Sequence, residues 1–176
     1  FELIFKGDRF VDPINNKSYS YFFPYGYNKL RKNALSPGTL SLERHRLLWI
    51  FLDKETDFFN TENKILHIAP EQCFYKSFKK NFGSYTTCDL NSPIAEIKAD
   101  VCNLPFDENE FDFVLCNHVL EHVYDDEKAM KEIYRVLKHE GKAILQVPVD
   151  NALEKTIDGR DITDQNLRNK LFGQYD

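Results

Sequence analysis

Lys64 to Asp89 reads KILHIAPEQCFYKSFKKNFGSYTTCD. A short apolar run (Ile65, Leu66, Ile68) is followed by a small-residue and proline turn at Ala69-Pro70, a segment of helical periodicity, and a second run that ends on an acid. The order strand, turn, helix, strand, acid is one half of a nucleotide-binding α/β unit. Such units place the carboxylate that holds a ribose about 20 residues after the turn, which is where Asp89 stands relative to Ala69. The glycine-rich turn of such units is missing.

Working outward, strands are expected at about 64–68, 84–88, 95–99, 111–116 and 142–148, and helices at about 71–81, 126–138 and 163–171. In the first of these helices Phe74, Tyr75 and Phe78 share one face and Lys76, Lys79 and Lys80 the other, with Gly83 ending it. Ala129, Met130, Ile133, Val136 and Leu137 form the apolar face of the second, which His139-Glu140-Gly141 closes. Alternating strands and helices with short connections imply a parallel sheet, because parallel neighbours need a crossover. Ligand crevices in such sheets lie beyond the carboxyl ends of the strands. Asp89, Asp100 and Asn117 all fall just past strand ends, so they form one constellation at one edge of the sheet.

Upstream, residues 1–40 are rich in aromatics and turn formers. Asp12-Pro13, Pro24, Gly26 and Pro37-Gly38 punctuate them, and Ser18–Phe23 is β-prone. A small β-hairpin or irregular module is expected there. Ser41 is the expected N-cap of a helix from Leu42 to about Lys54, whose run Leu47–Leu52 is apolar nearly all round and so should be covered on both sides.

The chain has 176 residues, 42% hydrophobic and 29% charged, with a net charge of −5. That is enough for one α/β domain with a small appendage. Residues 1–40 carry +3 and the remainder −8, a basic leader on an acidic body that gives no reason to expect nucleic-acid binding. No apolar run approaches the roughly 20 residues needed to cross a bilayer, and no signal peptide is expected. Cys73, Cys88, Cys102 and Cys116 are too far apart for a metal knuckle and read as buried reduced thiols of a cytoplasmic protein.

The stretch IKADVCNLPFDENEFDFVLCNHVLEHVYDD from Ile97, followed by AMKEIYRVLKHEGKAILQVP from Ala129, resembles class I S-adenosylmethionine-dependent methyltransferases of the methyltransferase type 11 kind. The resemblance covers about residues 61–176. It implies a Rossmann-like, mostly parallel sheet in the order 3-2-1-4-5, with the family's C-terminal hairpin missing from this chain, and transfer of a methyl group from S-adenosylmethionine to a small-molecule acceptor. Domains are expected at 1–40 and 41–176, and the charge and apolar-run lengths lead to no expectation of a nucleic-acid or membrane partner. By this resemblance Asp89 holds both ribose hydroxyls, since one carboxylate offers two acceptors to neighbouring donors. Asp100 accepts from the adenine amino group, the backbone of Val101 lies beside the ring, and Leu90 and Cys102 flank it. Asn117 and His118 stand where the methionine part and the acceptor meet, with His118 as a candidate base.

Two departures accompany the resemblance. His67 stands where the family has an acid, and Ala69-Pro70-Glu71-Gln72-Cys73 replaces the glycine-rich turn. Proline fixes φ and removes a donor, so a stiffer turn is expected to face the cofactor, with Glu71 toward its ammonium. A non-catalytic binding module that kept the fold is the alternative reading, and a dehydrogenase is disfavoured by the missing phosphate-binding glycines. Separately, Asp12-Pro13-Ile14-Asn15 and Ser36-Pro37-Gly38-Thr39 resemble the two knuckles of a zinc ribbon whose cysteines are gone, which implies the ribbon shape without metal. His118-Val-Leu-Glu121-His122 spells an inverted zinc-protease motif, but it directly follows a strand rather than lying within one helix. Arg44, His45 and Arg46 are candidates for an anionic group.

Overall fold

The computed structural model describes residues 2–26 and 29–149, with Lys155, Ile162, Asp164, Leu167 and Leu171 beyond them. The helix expected at 163–171 lies outside the continuously described residues. Two compact units form: one of residues 1–62 and 71–83, the other of residues 63–70 and the described chain from Ser84 onward. The boundary expected at residue 40 falls inside the first unit.

In the first unit a 3-10 turn, Glu2–Phe5, leads into two antiparallel pairs. They are β1 (Lys6–Asp12) with β2 (Lys17–Tyr19), and β3 (Phe23–Tyr25) with β4 (Arg31–Leu35). Asp12 is fully buried and is the hub of the turns that join them. Its Oδ2 accepts from the hydroxyls of Ser36, Thr39 and Ser41, and its Oδ1 from the Ile14 amide at 3.0 Å. Asn15 Nδ2 donates to the Tyr19 hydroxyl at 2.9 Å. Gly38 is required beside them, because a Cβ there would clash with that hydroxyl.

Helix α1 runs Glu43–Glu55. Ser41 is not its cap, because its hydroxyl is spent in the Asp12 cluster. Leu42 occupies the N-cap, and His45 Nδ1 accepts from the Leu42 amide at 3.0 Å. Arg46 donates to the carbonyls of Ser41 and Ala34 and lies 4.6 Å over the Phe22 ring. His45 and Arg46 are thus used to hold the module together. Leu48 and Leu52 are buried, but Leu47, Ile50 and Phe51 are exposed, so the expectation of cover on both sides is corrected. Helix α2 runs Gln72–Asn81. Its Phe74 and Phe78 stack at 5.2 Å, and Trp49 of α1 stacks on Phe78 at 5.7 Å. Phe58 and Phe82 complete this aromatic core, where each buried ring contributes about 1.5–3 kcal/mol. The helix ends at Asn81, and Gly83 has open space where a Cβ would stand, so no glycine is needed there.

The second unit is built on a five-stranded parallel sheet in the order β7-β6-β5-β8-β9, the expected Rossmann-like order. Its strands are β5 (Lys64–Ile68), β6 (Ser84–Asp89), β7 (Ile97–Lys98), β8 (Phe111–Asn117) and β9 (Leu137–Gln146). Leu66, Ile68, Val114 and Cys116 form one face, against which helix α3 (Asp126–Val136) lays Ala129, Ile133 and Val136. Met130, expected on that face, is exposed. On the central strands the opposite face, carrying Ile65, His67, Phe113 and Leu115, is buried as well, which is why these strands read as continuous apolar runs.

Two ties place the loops that carry the site. Arg135 of α3 donates to the carbonyls of Leu104 at 2.9 Å and Phe106 at 2.7 Å, while Glu132 accepts from the Leu104 amide at 2.9 Å. The Leu-Pro-Phe turn is thereby pinned to the helix, with Glu132 and Arg135 paired at 2.8 Å. β9 begins at once after α3 rather than at residue 142. Leu137 already pairs with Phe111, and an irregularity containing Glu140 at φ 68° takes up the extra residues before Lys142 pairs with Phe113.

Candidate functional site

The carboxyl ends of β5, β6, β7 and β8 converge on a cavity of about 520 Å³ within the second unit. Six residues singled out in the sequence line it: Ala69, Asp89, Leu90, Asp100, Val101 and His118. The strand ends deliver them. Parallel pairing aligns Ile68 with Cys88 and with Cys116, so the residues that follow emerge side by side. Cys102, expected beside the adenine, also lies in the wall.

Asp89, the last residue of β6, accepts with Oδ1 from the amides of Asn91 at 2.7 Å and Ser92 at 2.6 Å. Asp100 likewise accepts with Oδ1 from the Cys102 amide at 2.8 Å. In both cases one oxygen shapes the turn beyond the strand; the second oxygen of Asp89 meets no protein donor among the described residues, while the Asp100 carboxylate also lies within hydrogen-bonding reach of the Cys102 thiol. The half-used carboxylate of Asp89 holds an acceptor ready for a ligand. Burial, reinforced by the Asp100 and Asp125 carboxylates, pushes the Cys102 thiol up, so this thiol stays protonated and neutral.

Ala69 answers the question of the missing glycine. Its φ is 51°, in the left-handed region where alanine is strained and glycine is not. Its amide donates to the Cys88 carbonyl at 2.9 Å, which holds the bend against β6. The turn keeps a glycine-like backbone without the glycine, contrary to what the Ala-Pro sequence suggested. His118 makes the corresponding bend after β8, with φ 56° and its amide donating to the Gln146 carbonyl at 2.8 Å. Two non-glycine residues in left-handed conformations thus stand on the tips of adjacent strands, at one cavity. Strain of this kind persists where the surrounding structure fixes it, and it concentrates at functional sites.

His67, Pro70, Glu71 and Asn117 are not on the cavity lining. His67 is fully buried, and its Nδ1 lies 2.8 Å from the Tyr85 hydroxyl, a partner supplied by the neighbouring strand. Pro70 and Asn117 are buried. Glu71 belongs to the first unit, where its carbonyl accepts from the Phe74 and Tyr75 amides at the start of α2.

His122, the last residue of the His118–His122 motif, also lies in the wall, and so do residues that sequence reasoning did not single out: Val119, Val123, Tyr124, Asp125 and Lys128. All follow β8, and the clearest signal for them was Asp125, which caps α3 by accepting from the Lys128 amide at 2.9 Å. Among the described residues no cluster of His, Cys, Asp and Glu forms a metal-binding group, so the knuckle resemblance of residues 1–40 gains no support as a metal site. All four cysteines are free, Cys88 and Cys116 buried and Cys73 and Cys102 only partly so. No helix among the described residues is long and apolar enough to cross a membrane.

A parallel sheet in this order, with a ligand-sized cavity beyond its strand ends, defines a Rossmann-like α/β protein of the kind that binds a nucleotide-bearing ligand. More narrowly, residues 59–145 match the family described as "Methyltransferase domain". The chain is 48% identical over 60 residues to an uncharacterized protein of Methanocaldococcus jannaschii, 34% of this chain and 26% of that one. It is 44% identical over 52 residues to the 2-phytyl-1,4-naphtoquinone methyltransferase of Nostoc punctiforme, 30% of this chain and 23% of that enzyme. The matched stretches thus span about a quarter of these relatives' lengths. Among solved structures, the YcgJ protein of Bacillus subtilis superposes with a TM-score of 0.49 at 22% identity, over 58% of this chain and 50% of that one.

Proposed function

We propose that the chain binds S-adenosylmethionine in the cavity beyond β5, β6 and β8 and transfers its methyl group to a small-molecule acceptor. The observation that carries this reading is the pair Asp89 and Asp100, on neighbouring strand ends in one cavity, with the second oxygen of Asp89 left for a ligand. It is supported by the methyltransferase-domain match over the same residues. The site fits the cofactor in three respects: the half-used carboxylate of Asp89, the left-handed bend at Ala69, and a wall in which Asp89, Asp100 and Asp125 outnumber Lys128. An acidic wall favours a ligand that carries a sulfonium and an ammonium.

When bound, the cofactor supplies an electrophilic methyl group. The chain's residues do the rest. Asp89 holds the two ribose hydroxyls and Asp100 the adenine amino group. Val101 lies along the ring, with Leu90 and Cys102 flanking it. Ala69 sets the close approach of the backbone beside the methionine part. His118 takes the proton when the acceptor nucleophile carries one. His67 acts behind this surface, bonded to Tyr85, and Asn117 fixes the end of β8. Rate enhancement comes chiefly from holding acceptor and methyl in line.

Calorimetric titration of the full chain with S-adenosylmethionine and S-adenosylhomocysteine tests the reading. Micromolar binding of both is expected; no heat at millimolar ligand overturns it. We infer in addition that the turns around Asp12 and Ser36 form a metal-free counterpart of a knuckle pair, with the Asp12 cluster in the place of an ion. Stoichiometric zinc in the purified protein would contradict this.

A further inference from the structure

The turn after β8 pairs His118 with a second ionisable group that the reading above does not use. His118 lines the cavity, and its Nδ1 is buried 3.4 Å from Oε1 of Glu121. The Glu121 side chain is only 6% exposed, against 19% for His118. That spacing is within ion-pair range and longer than a well-made hydrogen bond. Both residues are held from the backbone. The His118 amide is tied to Gln146 across β9, and Glu121 sits in the 3-10 turn Leu120–His122, closed by His122 N to Val119 O at 2.9 Å and Val123 N to Leu120 O at 3.2 Å. The left-handed φ at His118 starts this turn and brings residues three apart together.

We infer that Glu121 is a positioning residue that makes His118 a directed base. A carboxylate facing Nδ1 favours the tautomer with its proton on Nδ1, as the second partner of an imidazole generally decides which nitrogen is free. Nε2, on the side of the ring away from the buried Nδ1, then carries the lone pair. In methyl transfer the acceptor's nucleophilic atom forms a bond to the methyl carbon while the carbon–sulfur bond breaks and its electron pair stays on sulfur. The acceptor's proton passes to Nε2, and Glu121 stabilises the resulting imidazolium. Glu121 does not touch the reacting atoms; it acts through His118. The other charged or titratable groups of this cavity are His122, Tyr124, Asp125 and Lys128 on the same side, and Asp89, Asp100 and Cys102 on β6 and the segment after β7. Glu121 is the acid that stands at ion-pair distance from His118.

This inference rests on the cofactor site proposed above, and the test separates the two. Histidine-selective ¹⁵N spectra of the full chain, saturated with S-adenosylhomocysteine and assigned with His118→Asn, report the tautomer of His118. Absence of S-adenosylhomocysteine binding removes the cofactor reading itself. With binding intact, the wild type is expected to show Nδ1 protonated. Glu121→Gln should move the proton population from Nδ1 toward Nε2, because the carboxylate that favoured Nδ1–H is gone. Glu121→Asp should recover part of that shift, and it serves as the test variant if Glu121→Gln fails to fold. A proton on Nε2 in the wild type, or a tautomer population unmoved in both variants, overturns the inference.

Discussion

Asp12 in the first unit and Asp89 in the second are the same side chain put to opposite uses. Asp12 is sealed from solvent, and both its oxygens are filled by protein donors from segments up to 29 residues away. Asp89 is half-buried, and its one engaged oxygen is served by amides two and three residues along the chain. A carboxylate filled from several segments is a clasp. One filled from its own turn, with its second oxygen toward a cavity, is preorganised for a ligand. The loss of each should therefore register in different measurements.

The largest effect is expected from Asp12→Ala. It strands three hydroxyls and an amide in a dry cluster and should cost about 3–5 kcal/mol of stability, read as a lower urea midpoint. Asp89→Ala should cost about 1 kcal/mol or less in the same experiment, because solvent reaches the amides of Asn91 and Ser92 once the carboxylate is gone. Its effect belongs in binding: affinity for S-adenosylhomocysteine should fall by about 2–4 kcal/mol, roughly 30- to 1,000-fold, for two lost charge-assisted hydrogen bonds. Unchanged affinity would remove Asp89 from the ribose. Equal stability losses in the two variants would erase the distinction between clasp and ligand site.

The contrast also explains what the sequence made legible. Asp89 and Asp100 could be placed together at one end of the sheet because both stand at strand ends, and strand ends follow from local alternation. The Asp12 cluster could not be assembled the same way. Asp12, Ser36, Thr39 and Ser41 meet only through tertiary folding, and the Ser41 hydroxyl expected on a helix N-terminus is drawn into that cluster instead. Local reasoning failed similarly at Leu137, where an apolar residue at the end of a helical pattern pairs with Phe111 as the first of β9. His67 was misplaced for a different cause. It holds the position of a family acid, but its partner Tyr85 is on the next strand, and a pattern along one strand does not show cross-strand partners.

A smaller effect sits inside the second unit, in the sheet itself. Burial, followed by the nearby Asp89 carboxylate, pushes the Cys88 thiol up to about 12. An unfolded thiol loses its proton near pH 8.5. Between those values the unfolded chain has released a proton that the folded chain keeps. Stability from this group is complete below about pH 8.5 and falls as pH rises toward 12. Urea midpoints at pH 8 and pH 10 should show a decline that is shallower in Cys88→Ala. Equal slopes in the two proteins would show that the thiol is not responsible.

The smallest expected effect is at Ala69, where the two uses of a residue meet. Its left-handed φ costs an L-residue about 1–2 kcal/mol relative to glycine. Glycine in turn loses about 0.5–1 kcal/mol through the freedom it gains in the unfolded chain. The balance predicts that Ala69→Gly stabilises the protein by about 1 kcal/mol or less, and leaves S-adenosylhomocysteine affinity within about threefold, since the backbone already has the shape that glycine would allow. Ala69→Val sharpens the point. A β-branched residue tolerates this φ poorly and should destabilise the turn by more than alanine does, weakening binding with it. A large gain in affinity from Ala69→Gly would instead mean that the methyl group, rather than the backbone bend, limits how closely the ligand approaches. The glycine of the family's turn would then matter here for space and not for conformation.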